Sequence, residues 1–322
     1  MSAANDSTAE GTPNGVVSAV LMTLEVIGIL GNTLVCFTIL RAKFMHTTTN
    51  YLIAHLALAD LLVCATFLGF QKRFIPSNLD DPLLCVLFKA HFLVWLAVGV
   101  STASMVLVTA ERYIAIVHPL HYPRYLSNWR VKLGIAGIWL LSVPLASIQI
   151  FVPKTIADMR SCLQDLTVPL DTLKAAYAFH VALYVIPMLI LFYCYGRVMV
   201  NLHRKARQYR KDNNQAHAEG LIRAQRKVAI VLLIVAVVYI TVWFTIIFSN
   251  LYLLFNEVAD CNTQEIFRLL YPVLLVFNSV VNPIIYAFKY KEFQRGVREA
   301  MFPRCLTRLH RVGVRGDDIA MG

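Results

Sequence analysis

The sequence predicts an all-α membrane protein, a seven-transmembrane helix bundle that ends in a short amphipathic eighth helix. Seven mostly apolar runs follow one another along the 322-residue chain. Each has about 20 or more residues, enough to cross a hydrocarbon core of about 30 Å as a helix. Lipid offers the backbone no hydrogen-bonding partners, so these runs should be helical throughout. The runs lie at about 16–40, 50–71, 86–110, 133–152, 175–199, 228–255 and 266–288.

The basic residues orient this bundle. With the N-terminus outside, the segments on the inner side hold 23 of the 30 Lys and Arg residues. Lys and Arg favour the cytoplasmic side of a membrane, so we expect a multi-pass protein of the plasma membrane with an extracellular N-terminus. The net charge of +11 then reflects contact with anionic membrane lipid on the inner face, and it does not indicate a nucleic-acid partner.

The chain divides into three parts. Residues 1–15 are small and polar, which predicts a disordered extracellular tail. In this tail Asn5 opens an acceptor triplet for glycosylation, although a chance triplet is the alternative. Residues 16–288 contain the seven spans, and residues 289–322 form the amphipathic segment and cytoplasmic tail. Cys305 lies near the membrane in that last part, as either a palmitoylation site or an unmodified thiol.

The other six cysteines fall into two groups. Three lie inside apolar runs and are expected to be packed thiols: Cys36, Cys64 and Cys194. Three lie on the predicted outer side, where disulfides persist: Cys85, Cys162 and Cys261. One of these three must remain a free thiol or have a partner elsewhere.

Ionisable groups at bilayer depth are costly, so each one is a functional hypothesis. The predicted spans contain Glu25, Asp60 and His180. Asp60 lies in the middle of the second run and would be severely destabilising without partners. Polar side chains on other spans could supply them: Asn32, Ser101, Asn278 and Asn282. A carboxylate among such oxygens suits a sodium ion or a proton, and a hydrogen-bonded packing node without an ion is the alternative.

Two short sequences mark the inner ends of the third and seventh runs. Glu111-Arg112-Tyr113 places an acid beside an arginine, which predicts a local ion pair. A generic pair of side chains reaching for the interface is the alternative. In the seventh run, Asn282-Pro283-Ile284-Ile285-Tyr286 contains a proline, which frees a backbone carbonyl and permits a bend. We expect the side chain of Asn282 to satisfy the freed group.

These residues, in this order, resemble the rhodopsin-like (class A) family of G-protein-coupled receptors. Any one motif is weak, but eight in the right order on seven spans are specific. Beyond the seventh span, Lys291-Glu292-Phe293 opens a basic amphipathic stretch similar to the family's eighth helix. The matching residues are Gly31-Asn32 with Val35, Leu56-Ala57-Leu58-Ala59-Asp60, Glu111-Arg112-Tyr113, His118-Pro119-Leu120, Trp139, Pro187 with Tyr195, Trp243, and Asn282-Pro283 with Tyr286.

Four departures from the family pattern matter. Thr245 stands where the sixth helix usually has proline, and a bond from its hydroxyl to a backbone carbonyl could bend the helix instead. Cys85 and Arg112 are 27 residues apart, about two more than usual. Glu111 replaces the commoner aspartate. Some members clamp the arginine with a glutamate at the foot of the sixth helix, and Gln225 occupies that position here.

The resemblance implies a two-state equilibrium that an extracellular ligand biases. At rest Arg112 should pair with Glu111 and close the cytoplasmic mouth. Outward movement of the sixth helix should then activate heterotrimeric G proteins, with Tyr195 and Tyr286 holding Arg112 in the open state. The open cleft would accept the C-terminal helix of a Gα subunit.

The resemblance also assigns roles at the two ends of the bundle. Leu120, in the second inner loop, would contact Gα as an apolar plug. Trp243 would sense the ligand at the floor of its pocket, with a packed core aromatic as the alternative. A disulfide between Cys85 and Cys162 would hold the longest outer loop across the mouth of the bundle.

The ligand class is indicated less directly. Residues 86–104 contain no acid, whereas receptors for biogenic amines carry an aspartate there, so a typical amine is not expected. Cations near the mouth and aromatics below favour a peptide or an acidic small molecule. Cations that only solvate helix ends are the alternative. The candidate pocket residues are Gln71, His91, Trp95, His180, Tyr184, Trp243 and Tyr271.

Two other classes of protein were weighed. A membrane transporter or channel with a seven-helix bundle would predict internal repeats and broken helices, and no motif repeats between the halves. An enzyme would need a metal-ligand pattern, a phosphate loop or a nucleophile arrangement, and none is evident in the sequence. We therefore expect a receptor, with no cofactor beyond a possible sodium ion at Asp60.

Overall fold

A computed structural model describes residues 13–70, 92–149, 170–211, 216–255 and 261–301. Within these ranges the chain forms eight helices of more than one or two turns, which we number in chain order. They are α1 (Pro13–Arg41), α2 (Thr48–Phe70), α3 (Phe92–Val117), α4 (Asn128–Gln149), α5 (Leu170–Lys211), α6 (Ala216–Phe255), α7 (Cys261–Lys289) and α8 (Lys291–Met301). Short 3₁₀ turns at Lys43–Met45 and Pro119–His121 and a one-turn helix at Tyr122–Tyr125 connect them.

Helices α1 to α7 are each long and apolar enough to cross a membrane, and α8 is too short and too polar to do so. The predicted all-α, seven-span bundle with a short final helix is therefore confirmed. The described part of every predicted run falls on one helix, because a run of about 20 apolar residues in lipid can satisfy its backbone only as a helix.

The ends of α5 and α6 were predicted wrongly. The apolar runs placed a third inner loop at about 201–226, but α5 continues to Lys211 and α6 begins at Ala216. The extra turns are rich in Arg, Lys, Gln and Ala, which are good helix formers. Hydropathy marks where a helix leaves the lipid, and a helix with such residues continues into the water beyond that point.

Helix α3 is the central column of the bundle. Of its most apolar 18 residues 56% are buried, against 17% for α4, which lies at the periphery. It packs against α2, α4 and α5 along its length. Polar residues placed on α3 are therefore shielded from lipid, and this position explains how Ser101 and Glu111 can be buried.

Two glycines allow close helix contacts. A Cβ atom at Gly31 on α1 would lie 2.8 Å from Cγ of Pro283, so α1 can approach the α7 proline only because Gly31 lacks a side chain. A Cβ at Gly296 on α8 would lie 2.9 Å from Cγ2 of Thr38. Helix α8 thus rests against α1 through a buried face that also includes Phe293 and Ala300.

Candidate functional site

A cluster of polar residues closes the C-terminal end of α3, which is the predicted cytoplasmic end. The carboxylate of Glu111 is fully buried and forms an ion pair with the adjacent Arg112. Thr49, on α2, donates to Glu111 Oε1 over 3.1 Å and accepts from Arg112. Tyr122, in the second inner loop, donates to the same oxygen over 2.8 Å. We call these four residues the Arg112 cluster. They join α2, α3 and the second inner loop.

The Tyr122 phenol is a stable donor in this cluster. Burial raises the pKa of Tyr122 above its usual range, and the charge and hydrogen bond of Glu111 raise it further. The phenol therefore stays protonated at neutral pH and keeps its hydrogen bond to the carboxylate. The buried Glu111 carboxylate has one cationic neighbour, Arg112. The hydrogen bond from Tyr122 occupies a lone pair of this carboxylate that the cation leaves free.

Two tyrosines, Tyr195 and Tyr286, are the predicted partners of Arg112 in an open state. In the described arrangement neither tyrosine hydroxyl is hydrogen-bonded to Arg112. Tyr195 on α5 is buried, and its hydroxyl accepts from Thr109 over 3.3 Å. Tyr286 on α7 is also buried, and its hydroxyl has no hydrogen-bond partner among the described residues. Near the C-terminal ends of α3 and α5, Lys205 of α5 donates to the backbone oxygen of Ile116 over 2.9 Å.

Two further predicted residues, Leu120 and Gln225, lie near this end of the bundle. Leu120 is 92% exposed, so its side chain is accessible to a partner. Gln225 is half-buried on α6 at the position of the missing acidic clamp. The ion pair of Arg112 is made within α3, and no described side chain of α6 forms an ion pair with Arg112.

The second polar cluster surrounds Asp60 in the middle of the bundle. Ser101 on α3 donates to Asp60 Oδ1 over 2.6 Å, and Asn282 on α7 donates to Oδ2 over 2.7 Å. The predicted partners from the third and seventh spans are thus in contact with the carboxylate. Asn278 is buried on the same helix. The Oδ1 atom of Asn282 is buried without a hydrogen-bond partner among the described residues.

The carbonyl freed by Pro283 has a partner other than the expected one. Pro283 has no N–H, so the carbonyl of Ser279, one turn earlier, loses its helical hydrogen bond. Asn32 on α1 donates to that carbonyl over 3.1 Å and also to Gly28 O over 3.0 Å. The expectation that Asn282 satisfies this group was wrong, because its amide is directed to Asp60. Asn32 therefore joins α1 to α7.

A buried histidine joins α2, α3 and α4. Trp139 donates its indole N–H to Nε2 of His55 over 3.0 Å. Ser104 lies 3.0 Å from Nδ1 and donates its own proton to Val100 O, so the hydrogen on Nδ1 belongs to His55. The ring is therefore a neutral tautomer with both nitrogens bonded. Sequence reasoning missed His55, although an ionisable residue within an apolar run was a sufficient signal.

The aromatic residues predicted for the ligand pocket and its floor lie in two ring pairs. Trp243 on α6 is buried and stacks on Tyr184 of α5, with ring centroids 3.6 Å apart and planes 9° from parallel. Trp95 on α3 and Tyr271 on α7 face each other at 6.5 Å. Tyr239 lies 6.1 Å from Trp243, one turn below it on α6. Four of the seven predicted pocket residues are thus aromatics on the inner sides of α3, α5, α6 and α7.

The hydroxyl of Thr245 bonds back to its own helix as expected. Its Oγ1 donates to Thr241 O over 2.9 Å. Thr241 and Ser249 make the same bond one turn below and one turn above, to Val237 O and Thr245 O. Such bonds weaken the normal ladder slightly and favour bending. Helix α6 therefore carries three hydroxyls, each one turn from the next, in the region where the family usually has one proline.

Several predicted sites lie outside the described residues. These are Gln71, His91, the Cys85 and Cys162 pair, Asn5 and Cys305. His180 lies in α5, but its side chain is not among those described. The three cysteines predicted to be packed are free thiols, as expected: Cys36, Cys64 and Cys194.

Seven membrane spans enclose two polar clusters in this protein. A comparison with known protein families identifies the class of protein to which this arrangement belongs. A family described as "7 transmembrane receptor (rhodopsin family)" matches residues 31–286. This match covers most of the chain and includes at least part of every described span. The protein therefore belongs to the rhodopsin family of seven-transmembrane receptors, and it is a receptor and not an enzyme.

Similar proteins are receptors as well. The Substance-K receptor of Homo sapiens is 30% identical over 296 residues, which cover 88% of this chain and 71% of that receptor. Galanin receptor type 1 of Homo sapiens is 27% identical over 298 residues, with 90% and 82% covered. Galanin receptor type 2 of Mus musculus is 30% identical over 308 residues, with 92% and 80% covered.

Proposed function

We propose that this protein is a plasma-membrane receptor for an extracellular peptide and that it activates heterotrimeric G proteins. The observation that supports signalling is the Arg112 cluster, which closes the inner end of the bundle with an ion pair inside α3. The similarity to receptors for substance K and galanin, both peptides, supports the ligand class. An acidic small molecule remains the second candidate, on the strength of the cationic residues near the mouth.

The resting state is held by hydrogen bonds between elements. Thr49 and Tyr122 bind Glu111 from α2 and from the inner loop, and Arg112 is folded back against the same carboxylate. No charge ties Arg112 to α6 in the described part of the chain. Opening therefore needs α6 to separate from the apolar contacts of its inner half, and it does not require the breaking of an ion pair between helices.

Ligand binding would act on the aromatic floor. Trp243 packs flat on Tyr184, so a ligand that displaces either ring changes the contact between α5 and α6. The bonded hydroxyls of Thr241, Thr245 and Ser249 make α6 easier to bend at this level. Outward movement of its inner end would release Arg112 toward Tyr195 and Tyr286. Exposed Leu120 would then contact the Gα subunit beside the open cleft.

A sodium ion fits the Asp60 cluster. The carboxylate, the Ser101 hydroxyl and the Asn282 side chain meet there, and Oδ1 of Asn282 is buried without a partner among the described residues. Carboxylate and uncharged oxygens are the ligands that hard cations take. The ion would neutralise Asp60 and stabilise the arrangement in which α2, α3 and α7 converge on it.

A peptide library tests the proposal in cells that display the protein with an N-terminal epitope tag. We expect the tag to be accessible on intact cells and at least one peptide to evoke a Gα-dependent second messenger. Arg112→Ala, expressed at the same surface level, serves as the signalling control. Movement of the peptide across the membrane without any G-protein response would contradict the proposal and would indicate a transporter.

A further inference from the structure

A long apolar groove lies on the side of the bundle between α4 and α5, with α3 as its floor. It encloses about 450 Å³. Helix α4 packs along α3 but makes few contacts with α5, so the two helices form separate walls. The floor runs from Trp95 to Ala110, which is about 22 Å at 1.5 Å per residue. This length is most of a hydrocarbon core of about 30 Å.

The lining is shaped for hydrocarbon. The floor carries small residues at Gly99, Ala103 and Ala110, which make the groove deep. The α5 wall includes Ile186 and Ile190, which are 55% and 36% exposed and therefore form the outer rim. Because α3, α4 and α5 are all membrane spans, this rim faces the bilayer. The groove is thus accessible from the lipid along most of its length.

Cationic residues follow the groove at its cytoplasmic end. Arg130 lies one turn before Gly134 on the same face of α4, and Arg197 lies two turns after Ile190 on the same face of α5. Both arginines are exposed. The inner leaflet is rich in anionic lipid, and a guanidinium binds a phosphate through paired hydrogen bonds. The charge at this end complements an anionic headgroup.

We propose that the groove binds one anionic phospholipid of the inner leaflet. One acyl chain lies along the α3 floor between α4 and α5, and the headgroup phosphate contacts Arg130 and Arg197. The length of the floor and the volume of about 450 Å³ suit a single acyl chain, and most of the residues that line the groove are apolar.

Tyr184 connects this groove to the receptor switch. Its ring lines the groove and at the same time stacks on Trp243. An acyl chain packed against Tyr184 holds that stack in place and stabilises the described arrangement of α5 and α6. This coupling rests on the proposed signalling function, whereas binding of the lipid does not.

Photo-crosslinking tests the binding step in nanodiscs that contain the full chain. The probe is a phosphatidylserine with a diazirine in its acyl chain, and labelled peptides are mapped by mass spectrometry. We expect labelling on α3, α4 and α5 residues of the groove. Ala103→Phe fills the floor and should reduce this labelling at least fivefold. The matched control Ala136→Phe, on an exposed face of α4 outside the groove lining, should leave it unchanged.

Equal labelling in the wild type and in Ala103→Phe would overturn the proposal. If Ala103→Phe does not give a monodisperse protein, Ala110→Leu shortens the floor with a smaller change. A phosphatidylcholine probe and a sterol probe identify the source of the label. Exclusive labelling by the sterol would overturn the proposal, and equal labelling by both phospholipids would overturn the headgroup assignment. Arg130→Gln with Arg197→Gln should remove the preference for phosphatidylserine.

The coupling has its own readout. Ligand-free nucleotide exchange on added G protein should be at least twofold slower in phosphatidylserine discs than in phosphatidylcholine discs, and Ala103→Phe should abolish the difference. Equal rates in the two lipids for the wild type would overturn the coupling. Crosslinking needs neither agonist nor G protein. A failure of the proposed signalling function would therefore leave the crosslinking result unchanged, and it can be distinguished from a failure of lipid binding.

Discussion

At the scale of single residues, the Arg112 cluster has the largest predicted effect on signalling. Its ion pair lies within one helix, and its other bonds go to Thr49 on α2 and to Tyr122 in the inner loop. Removing a surface ion pair has little effect on stability, but Glu111 is fully buried and depends on these donors. A substitution in this cluster should therefore affect both stability and signalling, so signalling has to be compared at equal surface expression.

Replacing Arg112 with alanine should abolish ligand-evoked G-protein signalling. The side chain supplies the cation that closes the resting cluster and, in the proposed open state, contacts Tyr195 and Tyr286. Second-messenger assays at matched surface expression measure the effect. The exposed Arg41 at the end of α1 provides the control, and Arg41→Ala should signal normally. Unchanged signalling by Arg112→Ala would refute the assigned role.

Ligand-free activity should be measurable in the wild type, because Gln225 cannot clamp Arg112 by charge. Introducing the acid, as Gln225→Glu, should lower this basal signal severalfold by tying α6 to the arginine. Gln225→Asn serves as the uncharged control and should leave the signal close to the wild-type level. A wild-type basal signal equal to that of untransfected cells would count against this account.

At the scale of helices, the contact between α1 and α7 depends on one missing side chain. Gly31→Ala would place a methyl 2.8 Å from the rigid ring of Pro283, and the two helices would have to separate. Overpacking of this kind costs about 1–3 kcal/mol. We expect a lower melting temperature for the purified protein.

Gly137→Ala makes a matched control on α4, where a new Cβ would meet no atom within 4 Å. Alanine is the better helix former by about 1 kcal/mol, so this variant should melt at the wild-type temperature or above. If the two variants shift the melting temperature equally, the close contact between Gly31 and Pro283 does not contribute to the stability of the protein.

At the scale of the whole molecule, the Asp60 cluster joins α2, α3 and α7 midway between the aromatic floor and the Arg112 cluster. If sodium binds there in the described state, linkage predicts that it raises the melting temperature of the purified protein. We expect stabilisation in sodium chloride relative to potassium chloride at equal ionic strength. Asp60→Asn should remove the difference, whereas Thr241→Val, whose hydroxyl bonds back to Val237 O on α6, should retain it. An equal response of the wild type to both salts would exclude the ion.

The sequence predicted the positions of the spans and several contacts, but it did not predict every partner. Asp60 with Ser101 and Asn282 was expected, since a buried carboxylate must find polar neighbours. Thr49 and Tyr122 were not expected, because threonine and tyrosine are ordinary residues at the ends of spans, and His55 was missed although it lies inside an apolar run. Only the packing of α2 against α3 shows that Thr49 reaches Glu111.

What the sequence alone determined is the number of spans, their orientation preference and the residues too polar for lipid. Those follow from hydrocarbon thickness and from the energy of exposed backbone and charge, which depend on each segment separately. The tertiary structure decided which polar groups meet: Asn32 with the carbonyl freed by Pro283, and Tyr122 with Glu111. The tertiary structure also decided that α4 and α5 make few contacts with each other, although both pack against α3. Pairings between helices depend on their rotation and separation, which no single segment encodes.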